Sequence, residues 1–240
     1  MKSVASKAYW NNHWQKTNFE IAPTNHPIRQ WIEKEIAPTR GASCLEIGCY
    51  PGKFLAVFGE KGYALHGIDS FVGTESLLPT WLRNKGYKVG TFYQSDFLHF
   101  KTPDLYDVVY SFGFIEHFKD WQGILSKHVE LTKIGGNIIV EVPNLKSPLY
   151  RLLYKLLEPK VLENHEMSAM DLEAICNVLE KEGCKIQAVG YIGIFYFRFV
   201  TKHNKLPTII ASFINFFRPL FQLLPSCIYA RYIGVIAVKK

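Results

Sequence analysis

The sequence predicts an α/β fold of the doubly wound kind, a mostly parallel seven-stranded sheet with helices on both faces. Three observations lead there. Short apolar runs at 44–48, 63–69, 89–94, 106–113 and 137–142 alternate with longer segments of helical period, and strand, helix, strand in succession argues a parallel sheet. A glycine turn from Gly48 to Gly52 closes the first run, and the acidic residues Glu46, Asp69 and Asp96 stand near the ends of the first three. A chain of 240 residues, 48% hydrophobic and 20% charged, suits one such domain and argues against a disordered or fibrous chain.

Taken in order, residues 1–40 are rich in aromatics and Pro, with one helix expected over Pro27–Ile36. Helices are expected over Lys53–Lys61, Thr74–Lys85 and Trp121–Thr132, between the five runs. The rhythm changes after Pro143: Pro148–Glu163 reads as a helical insertion. Ser168 to Asp171 reads as a capping box opening a helix that ends near Glu182, before Gly183. Lys185–Ile192 and Ile228–Val238 complete the seven strands, and the apolar stretch Leu206–Leu224 between them is surplus to the core pattern.

Lys and Arg number 28 against 21 Asp and Glu, a formal charge of +7. The basic residues form neither run nor aromatic-interleaved stripe, so no nucleic acid is expected, while an anionic substrate or membrane surface is compatible. Cys44, Cys49, Cys176, Cys184 and Cys227 include no pair with the two-residue gap of a zinc or redox motif. Reduced thiols and a cytoplasmic location are expected, since the first sixteen residues lack the apolar run of a signal peptide. No His, Cys or carboxylate set shows metal-ligand spacing, so no metal is expected.

The first strand, its turn and the following helix form the strongest local signal. In open α/β sheets ligands bind beyond the carboxyl ends of the strands, and a helix amino terminus offers unpaired N–H groups. A dinucleotide site would need G-x-G-x-x-G, whereas this turn has three residues between Gly48 and Gly52. None of the 13 tyrosines has Lys four positions on, so a short-chain dehydrogenase is a weak rival. Asp69 is placed to accept both hydroxyls of a ribose. Asp96 suits an adenine amino group, with Phe97 against the ring. Cys49, Ser70, Ser111 and Phe112 complete the expected cofactor set. A ligand with a sulfonium, an ammonium and a ribose fits three carboxylates better than a phosphate-bearing one.

On these residues the chain resembles the S-adenosylmethionine-dependent methyltransferases with a Rossmann-like fold. In pattern it is similar to their ubiquinone-biosynthesis-type and polysaccharide-cluster small-molecule branch. Glu46, Gly48 and Gly52 match the first motif, Asp69 and Asp96 the second- and third-strand acids. Asp107 through Glu116-His117 matches the fourth-strand motif, and Gly135-Gly136 precedes the fifth strand. The resemblance covers roughly residues 40–190. It departs at Tyr50, where a glycine is usual; the ring is expected to point outward. The resemblance implies S-adenosylmethionine as cofactor and an antiparallel last strand. It also implies a cap at 1–40 (with Tyr9, Trp10 and Trp14) over the cofactor half at 41–143, and acceptor-side insertions at 144–182 and 193–227.

The expected reaction is in-line methyl transfer to an oxygen or nitrogen of a small-molecule, sugar or lipid-linked acceptor. His117 and His165 are the candidate bases; the plainer readings are a loop-fixing His117 and a solvated His165. Ser168 reads as a helix cap only. The 207–224 stretch reads as a packed cap or homodimer contact, as a lid, or as an interfacial membrane anchor, because Arg218-Pro219 interrupts any span. A non-catalytic cofactor-binding relative is the remaining rival.

Overall fold

In the computed structural model, residues 18–200 and 205–240 are described. The expected aromatic cap of Tyr9, Trp10 and Trp14 lies outside them. The elements are α1 Pro27–Glu35, β1 Ser43–Ile47, α2 Leu55–Glu60, β2 Ala64–Asp69, α3 Leu77–Asn84, β3 Val89–Gln94 and β4 Tyr106–Phe112. There follow α4 Trp121–Glu130, β5 Thr132–Pro143, α5 Pro148–Leu157, α6 Pro159–Glu163 and α7 Leu172–Lys181. Then come β6 Cys184–Ile192, α8 Lys205–Phe216, α9 Arg218–Phe221, α10 Ser226–Tyr229 and β7 Tyr232–Lys239. Single 3-10 turns sit at Ile115–His117 and Met167–Ala169.

The seven strands form one sheet in the order β3-β2-β1-β4-β5-β7-β6. β1 to β5 pair in parallel, and β7 enters antiparallel between β5 and β6. The chain winds outward from β1 to β3, then returns to lay β4 against β1. That reversal opens a crevice beyond the carboxyl ends of β1 and β4. Alternation along the strands feeds two cores. Leu45, Ile47, Val109 and Val140 pack with Trp121, Ile124 and Leu179 on one face. Cys44, Val108, Tyr110 and Ile139 pack with Ile32, Phe58 and Leu82 on the other. Glu46, alternating with Leu45 and Ile47, stands on the second face.

Several expected boundaries move for local reasons. The Pro148–Glu163 insertion is two helices, because Pro159 ends the first at Glu158. The cap of α7 is Asp171, whose side chain accepts from the Ala174 N–H at 3.2 Å, not Ser168. Ser168 instead accepts from Trp121 Nε1 at 3.0 Å and donates to Glu166 at 2.8 Å. Thr132 belongs to β5 rather than to α4, and Ile228 lies in α10 rather than in β7. Gly135 (φ +77°) and Gly136 sit at a register shift of β5, where a Cβ on Gly136 would lie 2.9 Å from the carbonyl oxygens of Asp107 and Lys133.

The 206–224 stretch folds as α8 and α9, broken at Phe217, with Pro219 in the first turn of α9. Its inner side is tied down. Asn215 accepts from the Phe197 N–H at 2.8 Å and donates to the Phe197 carbonyl at 2.7 Å, while Phe221 rests on Phe195. Its outer side, including Ile209, Phe213, Phe216, Leu220 and Leu223, is exposed to between 60% and 82%. Among the described residues no helix is long and apolar enough to cross a membrane.

Candidate active site

A cavity of about 470 Å³ lies in the crevice beyond β1 and β4. The turn after β1 forms its floor. Gly48 (φ +73°) and Cys49 both donate their N–H groups to the Ile68 carbonyl, at 2.9 and 3.1 Å, drawing the turn against β2. A Cβ on Gly48 would come within 2.6 Å of the Phe114 ring, and one on Gly52 (φ +84°) within 2.3 Å of Leu78. Both glycines are therefore required for backbone conformation and for close approach. Gly67 does similar work unnoticed in the sequence: its missing Cβ leaves room for the Cys49 sulfur.

Asp69 ends β2 and braces this turn. Its Oδ2 accepts from the Tyr50 N–H at 3.1 Å, and its Oδ1 from the Phe71 N–H at 2.9 Å. Burial nevertheless holds its carboxyl above the ordinary aspartate value, with those N–H bonds pulling the other way. Glu46 is more deeply buried and accepts from the Tyr110 hydroxyl at 3.4 Å. Burial pushes its carboxyl well above the usual range, and the neighbouring Asp69 adds to the rise. Two acids facing one cavity are costly to ionise without a cation, so the site is electrostatically prepared for a positively charged ligand.

Tyr50 corrects an expectation. Its ring does not point outward; it is 6% exposed and packs on Phe71 at 4.4 Å and Phe19 at 5.6 Å. No residue other than glycine has positive φ among those described, so this position does not require the usual glycine. Tyr50 then lines the cavity as an apolar wall.

Asp96 lies two residues beyond the end of β3, exposed at the cavity rim, with Oδ1 accepting from the Leu98 N–H at 2.9 Å. Phe97 beside it is buried and lines the cavity. Lys127, which the sequence reading missed, fixes this loop. Its Nζ donates to the carbonyls of Phe97 (2.6 Å) and Leu98 (3.0 Å) and stands 4.8 Å from the Phe97 ring centroid. Cys49, Ser70 and Phe112 also line the cavity, and the Cys49 thiol is kept protonated by burial. Ser111 does not reach it. Its side chain points into the opposite core, donating to His128 Nε2 at 2.9 Å, while His128 Nδ1 donates to the Ile124 carbonyl. Strand alternation sends neighbours to opposite faces, which the sequence reading of 111–112 overlooked.

The cavity is walled further by His117, Phe118, Phe54 and Arg198. His117 follows β4 in the 3-10 turn and donates Nδ1–H to the Asn164 carbonyl at 3.0 Å. Burial, aided by the adjacent His165, lowers its pKa to about 3, so the imidazole is neutral. His165 donates Nδ1–H to the Val161 carbonyl, and burial lowers its pKa too. Its ring lies 4.7 Å from that of His117, so it is not a solvated linker residue, although it stays behind the cavity wall.

Comparison with known proteins agrees with this geometry. Residues 8–189 match the family model described as a methyltransferase domain. A ubiquinone biosynthesis O-methyltransferase of Aeromonas salmonicida is 26% identical over 198 residues, covering 77% of this chain and 81% of that protein. Among solved structures, a SAM-dependent methyltransferase from Archaeoglobus fulgidus is 21% identical, with TM-score 0.58 over 88% of this chain and 93% of that one. The N-methyltransferase NodS from Bradyrhizobium japonicum WM9, solved with S-adenosyl-L-homocysteine, is 12% identical, with TM-score 0.57 over 99% and 94%. The last two share the fold. With the glycine turn, the strand-end acids and the family match in agreement, the chain belongs to the S-adenosylmethionine-dependent methyltransferases.

Proposed function

We propose that this enzyme methylates an oxygen of an apolar, lipid-linked small molecule taken from an anionic membrane surface. The observation that carries the reading is the outer side of α8 and α9. It exposes Ile209, Phe213, Phe216, Leu220 and Leu223, while residues 183–240 contain eight Lys or Arg and no Asp or Glu. An apolar face within a purely basic segment is the composition of an interfacial helix on anionic lipid. Arg198, in that segment, also lines the cavity, so the surface and the acceptor end lie close in sequence and structure. The ubiquinone biosynthesis O-methyltransferase relative supports an oxygen acceptor.

In this reading Glu46 and Asp69 hold the charged and ribose parts of the cofactor, and Phe97 and Asp96 border its adenine. His117 stands in the acceptor wall, with His165 behind it. The acceptor hydroxyl would release its proton to solvent as its oxygen bonds the methyl carbon in line with the sulfur, and the electron pair of the broken C–S bond would stay on sulfur. The sulfonium is already an able leaving group, so the protein's share is proximity and orientation, worth roughly 7–11 kcal/mol.

Co-sedimentation with vesicles of anionic or of purely zwitterionic lipid tests the surface. Binding to anionic vesicles alone is expected, abolished in Phe213→Asp/Phe216→Asp. Equal partitioning of both proteins ends the membrane reading, and a dimer that the double variant splits in size-exclusion assigns the face to a second copy. Transfer of a labelled methyl group into the organic phase of a lipid extract tests the acceptor. Label found only in water-soluble product overturns it.

A further inference from the structure

Beside the cofactor cavity, three side chains distant in sequence come together in a way the methyl-transfer geometry does not use. Glu116, in the 3-10 turn after β4, is fully buried, and its Oε2 has no hydrogen-bond partner among the described residues. Its Oε1 lies 3.8 Å from His117 Nε2. His165 is delivered from the α6–α7 connection, which is pinned to the same turn by the Glu166 N–H donating to the Glu116 carbonyl at 2.7 Å. One donor atom from each of Glu116, His117 and His165 can be chosen so that all lie within 4.8 Å of one another.

The tautomers fit coordination. Both rings donate Nδ1–H to backbone carbonyls, those of Asn164 and Val161, which places the lone pair of each on Nε2. A carbonyl holding the far nitrogen is how ligating histidines are usually oriented. A second carboxyl, Glu141, lies near Glu116, and its Oε1 is also without a partner. Buried carboxyl oxygens left without a hydrogen-bond partner destabilise the fold. A cation would offset that cost.

We propose that Glu116, His117 and His165 bind a divalent transition-metal ion at the acceptor wall of the cavity. Two imidazoles and one carboxylate suit Zn²⁺, Fe²⁺ or Co²⁺, and such a set leaves coordination positions open. Of the three, His117 lines the cavity, so the ion would border it. The inference deepens the proposed O-methylation and rests on it for its chemistry. A hydroxyl of the acceptor bound to the ion loses its proton to solvent near neutral pH. The resulting oxygen forms the new C–O bond as the C–S bond breaks, and sulfur leaves as the neutral thioether.

The full chain, stripped by chelator, is titrated with Co²⁺ and followed by visible absorption and calorimetry. The expected result is one bound equivalent with ligand-field bands, displaced by Zn²⁺. Glu116→Gln and His165→Gln should each weaken binding by more than the roughly 10–100-fold that loss of a ligand's supporting partner costs. His99→Gln, at an exposed histidine, controls for casual binding and should match the wild type. Absent bands at one equivalent, or unaltered affinity in both ligand variants, overturns the metal site. S-adenosylhomocysteine binding is read on the same stripped samples. Cofactor bound without Co²⁺ binding removes only the metal; no cofactor binding removes the methyl-transfer reading itself.

Discussion

Replacing Asp69 by Ala separates ligand recognition from fold, and the structure sets the expected size of each. In the free protein the carboxylate accepts two backbone N–H groups, from Tyr50 and Phe71. Orphaning them costs about 1–3 kcal/mol apiece where they are buried. Against this, burial makes the ionised carboxylate itself costly, as its raised pKa records, and deletion removes that penalty. The two effects oppose, so a net loss of about 1–2 kcal/mol is expected, or about 2–8 °C in Tm at about 2–4 °C per kcal/mol. Cofactor binding has no such compensation. Two hydrogen bonds from ribose hydroxyls to a charged acceptor are worth about 1.5–3 kcal/mol each. Losing both weakens affinity about 100-fold or more, at 1.4 kcal/mol per tenfold. Calorimetry with S-adenosylhomocysteine and thermal unfolding on the same preparation measure both. Affinity within threefold of wild type would refute the ribose assignment; weakened affinity with a collapsed Tm would recast Asp69 as a turn brace only.

Tyr50→Gly, which restores the residue usual at this position, should destabilise by about 3–5 kcal/mol, because it deletes a buried ring from between Phe19 and Phe71; a rise in denaturation midpoint would contradict that packing. Ser111→Ala should cost about 1–3 kcal/mol by orphaning buried His128 Nε2, yet leave cofactor affinity unchanged. A cofactor defect in that variant would restore Ser111 to the site. Asp171→Ala should cost about 0.5–2 kcal/mol at neutral pH through loss of the α7 cap. Lys146 and the Ala174 N–H hold the Asp171 carboxyl below its usual 3.8. A depressed pKa means the cap's contribution is present above pH 3.8 and lost as pH falls through the folded value. The wild-type and variant stability curves should therefore converge in acid; a gap that persists there would refute the charge-assisted cap.

The parallel direction of β1 to β5, the two flanking helical layers and the glycine turn were legible in the sequence, because period, turn chemistry and strand ends are properties of neighbouring residues. So were Glu46 and Asp69, which the fold brings to one cavity. Tertiary structure decided what depends on partners far along the chain. Tyr50 turns inward because Phe19 and Phe71 meet there. Ser111, sent to the other core by strand alternation, meets His128 of α4 there. His117 and His165, separated by 48 positions, face each other only because Asn164 and Val161 orient their rings. Local pattern fixes which face a residue can take; only the packed chain fixes what it meets on that face, since each such contact joins segments whose spacing carries no periodic signal.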